Sequence, residues 1–171
     1  MQREFVRRSV HNAWAAVVGP LTVWCDPDAS DPLFIELAQC YSLTLRSQPP
    51  GDLGMRMQVC AAAALKDAKA VIIIGSDCPI MNPTYLRQAV AALNSDTDAV
   101  IGPAEDGGYV LLAIKRAHEK LFTDIAWGSR TVLDETLSRM RALNWRCHHL
   151  DTLWDVDRPE DWERWQRISP E

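Results

Sequence analysis

Carboxylates at loop positions are the groups in this sequence best suited to chemistry. Asp77 follows the run Val71-Ile72-Ile73-Ile74-Gly75-Ser76, four aliphatic residues that read as a strand buried on both faces and a glycine that lets the chain turn. The carboxylate therefore sits just past the strand's carboxyl end. In open α/β sheets ligands bind at that edge, where an aspartate can hold a divalent cation and, through it, a ligand's phosphates. Read alone, Asp77 serves equally well as a cap for the helix beginning near Pro83. Asp155 and Asp157 share a side if their segment is extended. Should that segment lie beside Asp77, the site gathers the two or three oxygen ligands that Mg2+ or Mn2+ takes when a diphosphate supplies the rest. Asp157 alone also fits as a cap for the terminal helix that starts at Pro159.

Other positions carry weaker signals. Glu105-Asp106-Gly107-Gly108 places two carboxylates before two glycines, which suits either a sugar or nucleotide pocket with close backbone approach or a tight hairpin turn. Asp52 caps the helix after Gln48-Pro49-Pro50-Gly51; its free amides, with Arg56 one turn in, suit an anion as well as a purely structural start. Trp127 is either an acceptor-pocket wall or a packed tryptophan. His148 and His149 are adjacent on a strand, point to opposite faces and so do not chelate one ion together.

These groups need a scaffold that brings loop ends together. The apolar spacing predicts helices over about 2–18, 32–39, 55–66, 83–93 and 129–143, and a last one from Pro159. Strands are predicted at 21–25, 43–46, 71–74, 98–103, 109–114 and 145–150. Strand and helix alternate until the Val100 to Ile114 region, which predicts a three-layer α/β/α sandwich with a predominantly parallel sheet and Val71 to Ile74 as a central strand.

Composition narrows the partners. With 171 residues, 47% hydrophobic and 24% charged, one domain spanning 1–171 is expected. A net charge of −5 with no basic run removes the electrostatic footprint of a nucleic-acid binder, so phosphates need a metal or backbone amides here. Five cysteines without close spacing read as reduced thiols in the cytoplasm. No apolar run approaches the roughly 20 residues of a membrane span, and no export signal is visible.

The strings Gly51-Asp52-Leu53-Gly54-Met55-Arg56-Met57, Gly75-Ser76-Asp77-Cys78-Pro79, Gly102-Pro103-Ala104-Glu105-Asp106-Gly107-Gly108-Tyr109, Phe122 to Thr136 and Asp155-Val156-Asp157 occur in an order that resembles the DUF2064 family of GT-A-type glycosyltransferases. The similarity runs from about Ala15 to the end. Some members of that family are named arsenosugar-biosynthesis glycosyltransferases, and it is more distantly similar to molybdenum-cofactor guanylyltransferase and phospholactate guanylyltransferase. The resemblance implies a GT-A, nucleotide-diphospho-sugar transferase-like fold with Asp77 and Asp157 at the metal, and with Asp106, Gly107, Gly108 and Tyr109 lining the donor or acceptor pocket. Where the family pattern has threonine after the second metal-side aspartate, this chain has Arg158. Relatives usually begin with a strand and a glycine-containing basic loop that grips the nucleotide. This chain reads as starting in the helix that follows, so weak donor binding and a displaced strand or strand-mediated homodimer are expected.

Three functions are consistent with these residues. The first is glycosyl transfer from a nucleotide-activated sugar to a small-molecule acceptor, with a cation on Asp77 offsetting leaving-group charge and Asp106 or Glu105 as general base. The second is nucleotidyl transfer from a nucleoside triphosphate to a phosphorylated small molecule, with loss of pyrophosphate. The third is a nucleotide- or sugar-binding protein without turnover.

Overall fold

Helix caps, more than propensity, set where the elements begin. The computed structural model describes residues 2–93 and 96–168. Asp31 accepts Leu33 N–H at 2.8 Å and opens α2, with Pro32 at the first helical position where its missing N–H costs nothing. Asp52 accepts Met55 N–H at 2.8 Å and opens α3. Asn82 accepts Tyr85 N–H at 3.0 Å and opens α4. The helices are α1 Gln2–Ala16, α2 Pro32–Cys40, α3 Leu53–Ala64, α4 Pro83–Leu93, α5 Val132–Ala142 and α6 Pro159–Ile168. The helix expected from Ser129 begins later: Thr131 is its N-cap, two residues on, and Ser129 Oγ accepts Thr131 N–H instead.

The strands are β1 Leu21–Cys25, β2 Leu43–Ser47, β3 Val71–Ile74, β4 Ala99–Pro103, β5 Tyr109–Ile114 and β6 Cys147–His149. They form two sheets rather than one. β1 and β2 pair in parallel, with Leu21 opposite Leu43. The other four lie in the order β3-β5-β4-β6, mixed because β5 is antiparallel to both β3 and β4. Among the described residues β1 pairs only with β2 and β3 only with β5, so the sheet is interrupted between them.

The interior strands of the larger sheet are β5 and β4, not β3. Residues Leu111, Leu112, Ala113 and Ile114 are essentially sealed from solvent, whereas all four residues of β3 are only half-buried at the sheet edge. Four aliphatic residues were expected to mark a central strand. They mark instead a strand covered by helices on both faces, since Ile72 and Ile74 pack toward the α4 side while Val71 and Ile73 pack toward the α3 and α5 side. Layer packing alone demands apolar residues on both faces.

On one face α4 contributes Tyr85, Leu86, Ala89 and Leu93, joined by Ala16 of α1; on the other, Met57, Ala61, Phe122, Met140 and Trp145 close the core. At roughly 2 kcal/mol for each large side chain fully buried, these two layers dominate the stability. α1 joins the sheets, packing on α2, β1 and α4. Its Arg7 meets Glu36 at 2.5 Å, and its Asn12 donates to Met81 O at 2.8 Å.

Candidate functional site

β3, β4 and β6 run in one direction, because β3 and β4 are each antiparallel to β5 and β4 is parallel to β6. Their carboxyl ends share an edge, and an acidic loop leaves each of them: Asp77 after β3, Glu105 and Asp106 after β4, Asp155 and Asp157 after β6. Direction alone does not assemble a site. β6 is three strand spacings from β3, roughly 14 Å at ordinary separation.

The segment after β6 closes that distance by crossing the sheet edge. Leu150 N–H donates to Ile101 O at 2.9 Å, Leu153 N–H to Pro103 O at 3.0 Å, Glu105 N–H to Leu153 O at 3.0 Å, and Val156 N–H to Asp77 O at 2.9 Å. Tyr85 pins the start of the crossing by donating its hydroxyl to Asp151 O at 2.7 Å. That hydroxyl uses the space beside Gly102, where a Cβ would lie 2.5 Å from it.

As a result Asp77, Asp155 and Asp157 each present a carboxylate oxygen, all within 4.8 Å of one another. Capping does not occupy them. Asn82 caps α4, and Asp161 reaches back to accept Asp157 N–H at 3.3 Å and Arg158 N–H at 3.0 Å at the start of α6. A Cβ on residue 75 would lie 2.6 Å from Asp77 Oδ1, so glycine there is what lets the carboxylate fold back over the turn.

The electrostatics follow from convergence. Asp77 keeps contact with solvent, yet the protein packed around it desolvates its carboxyl, and this, followed by the like charges of Asp157 and Asp106, holds it above the usual range. Desolvation, then Asp106, Asp157 and Asp77, push Asp155 up to about 6. A cluster whose members resist ionising together is one that a cation relieves. Three hard oxygen donors without nitrogen or sulfur match Mg2+ or Mn2+, with water and phosphate oxygens completing the shell.

The remaining predicted residues divide. Asp106 stands beside the cluster, one carboxylate oxygen accepting Gly108 N–H at 2.8 Å. Gly107, at φ +97°, presses against Arg130 O, where a Cβ would lie at 2.3 Å. Glu105 turns outward and spends both oxygens on Arg164, which holds its carboxyl below the usual range. The Tyr109 hydroxyl is buried beside Thr136, and its ring meets Trp127 edge-on at 6.5 Å. Trp127 packs half-buried against the core, its indole nitrogen where a Cβ of Gly54 would fall at 2.6 Å. Asp52 caps α3, and Arg56 bridges to Asp26 at 3.3 Å and Gln48 at 2.8 Å, both near the carboxyl ends of β1 and β2 rather than in the acidic cluster. Sequence reasoning missed Tyr85 and Arg164. Neither carries a local signal, because each acts on a partner distant in the chain.

Two shallow depressions lie elsewhere, about 200 Å³ between α1 and α2 and about 380 Å³ beside α4 and β6, and neither borders the carboxylates. The convergence of donor atoms, rather than concavity, locates the candidate site. No helix among the described residues is long and apolar enough to cross a membrane.

Comparison with known proteins gives the family and the fold. The family model described as "Uncharacterized protein conserved in bacteria (DUF2064)" matches residues 9–129. None of the curated proteins matches the chain. A crystal structure from Desulfovibrio desulfuricans G20, described as a candidate nucleotide-diphospho-sugar transferase, is similar over 91% of this chain and 68% of its own, with 28% identity and a TM-score of 0.79. The fold is shared with 4-diphosphocytidyl-2C-methyl-D-erythritol synthase at 10% identity and TM-score 0.66, over 95% of this chain and 87% of the other. It is shared too with glucosyl-3-phosphoglycerate synthase from Mycobacterium tuberculosis, solved with Mn2+, uridine diphosphate and phosphoglyceric acid, at 14% identity and TM-score 0.63, over 95% and 70%.

Proposed function

This chain belongs to the DUF2064 family, and from that membership and its acidic cluster we propose that it transfers a glycosyl group from a nucleotide-activated sugar to a small-molecule acceptor. The observation that carries this reading is the convergence of Asp77, Asp155 and Asp157 at the shared carboxyl edge of β3, β4 and β6. These three residues would hold Mg2+ or Mn2+, whose chemistry is to offset charge on a departing diphosphate. Asp106 is the better general base of the two acids after β4, since one of its oxygens is held by Gly108 N–H while Glu105 is committed to Arg164. Gly107 and Gly108 would let a sugar approach the backbone. Asp52 and Arg56, at the amino end of α3, are assigned to the donor side, and Tyr109 with Trp127 back that wall from within.

Support from outside the chain comes from the shared fold of a synthase crystallised with Mn2+ and uridine diphosphate. The unpaired cysteines support a reducing compartment such as the cytoplasm.

Nucleotidyl transfer is the second reading, favoured by the same fold in 4-diphosphocytidyl-2C-methyl-D-erythritol synthase. Product analysis separates them: a nucleoside diphosphate is expected for glycosyl transfer, and pyrophosphate for the alternative. Binding without either product would make the chain a non-catalytic binder. Asp77→Asn is expected to weaken Mn2+-dependent nucleotide binding at least tenfold, measured by calorimetry, while the protein stays folded. Unchanged binding in that variant would remove Asp77 from the site.

A further inference from the structure

The acidic cluster is assembled against its own charge. Among the described residues, no ion pair involves Asp77, Asp106, Asp155 or Asp157, so their repulsion is not offset by a paired cation. Backbone bonds from Leu153 to Pro103 and from Glu105 to Leu153 join the two loops, and a side chain can brace them from behind. Arg164 on α6 is placed to do this. Its two terminal nitrogens meet the two oxygens of Glu105 at 2.7 and 3.0 Å, and its guanidinium carbon lies 4.2 Å from the ring centroid of Trp154. Glu105 is the residue before Asp106, and Trp154 is the residue before Asp155.

We propose that Arg164 is a positioning residue for the acidic cluster, one planar group fixing both carboxylate-bearing loops in register. Exposure is the objection, since Arg164 and Glu105 side chains are 46% and 52% accessible and exposed ion pairs contribute little. Here the pair is bidentate, which fixes orientation as well as distance, and the guanidinium also stacks on a tryptophan only 6% exposed. That tryptophan is anchored with Phe5 and Trp165, so α6 and α1 give the clamp a rigid base. A lysine supplies charge without the fork or the flat face.

The proposal rests on the metal reading above only for its affinity arm, and the experiment separates the two. Hydrogen exchange in metal-free protein is compared for wild type, Arg164→Gln and Arg164→Lys. Amides of 104–108 and 153–157 are expected to exchange several-fold faster in both variants, with β5 unchanged. Mn2+ affinity, read by water-proton relaxation, is expected to fall about tenfold, the low end for groups that orient metal ligands. The charge exchange Glu105→Arg with Arg164→Glu should restore part of the protection, which a role confined to α6 packing does not predict. Unchanged exchange in both loops, or loosening of only one, overturns the shared clamp. Loosened loops in a protein that binds no Mn2+ leave the clamp standing and remove the metal reading.

Discussion

Asp155 shows most directly how the site's chemistry is set by its neighbours. Its carboxyl titrates near 6 because it is desolvated and faces Asp106, Asp157 and Asp77, whereas in the unfolded chain it returns to the ordinary carboxylate range. A pKa raised on folding means the folded state binds the proton more tightly, so this group's contribution is full below the unfolded pKa and lost as pH rises through about 6. The metal-free protein should therefore gain stability as pH is lowered from 7 toward 5. Asp77, shifted in the same direction, adds to the trend. Protons and cation compete for the same oxygens, so Mn2+ affinity should fall over that interval. Asp155→Asn is expected to flatten the pH dependence, to stabilise the metal-free protein by about 1 kcal/mol at pH 7, and to weaken Mn2+ binding. Thermal melts at several pH values with and without Mn2+ check all three, and an Asp155→Asn protein as pH-dependent as wild type would refute the assignment.

At the scale of elements, β3 and β5 exchange the roles that their composition suggests. β3 is aliphatic throughout yet lies at a sheet edge, with one row of backbone groups lacking a ladder partner among the described residues. β5 has partners on both sides and a core on both faces. In hydrogen exchange the amides of β5 should be the slowest in the protein. Those of β3 that point away from β5 should exchange orders of magnitude sooner, near the rate set by local opening. Uniform protection across β3 would show that another strand covers its edge in solution. Just past the carboxyl end of β3, the crossing segment is bonded to the chain where Val156 N–H donates to Asp77 O.

For the whole molecule, the cluster links parts of the chain that meet only on folding. Asp77 leaves β3, while Asp155 and Asp157 follow the last strand, so an unfolded chain offers no preformed site. A cation binding there stabilises only the native state. Free Mn2+ at a hundred times its dissociation constant should add about 2.7 kcal/mol, a melting shift of several degrees for a chain this size. Calorimetry in EDTA against Mn2+ measures it. A shift equal in wild type and Asp77→Asn would place the bound ion elsewhere.

Local chemistry was legible in the sequence because it depends on near neighbours. Asp31, Asp52, Asn82 and the prolines at 32, 83 and 159 set the helix starts, and Asp77 was placed past a strand by the aliphatic run before it. The motif order also announced the family. Tertiary structure decided the rest. It put β5 rather than β3 in the middle, because an aliphatic strand covered on both faces reads the same at an edge as at the centre. It divided the sheet between β1 and β3, and it turned Glu105 away from Asp106 toward an arginine 59 residues later. Above all, it made Asp155 a third member of the cluster, since only the crossing of the segment from Leu150 to Val156 over the sheet edge brings that carboxylate to Asp77. Such a path is set by hydrogen bonds between distant backbones, which leave no trace in the spacing of residues along the chain.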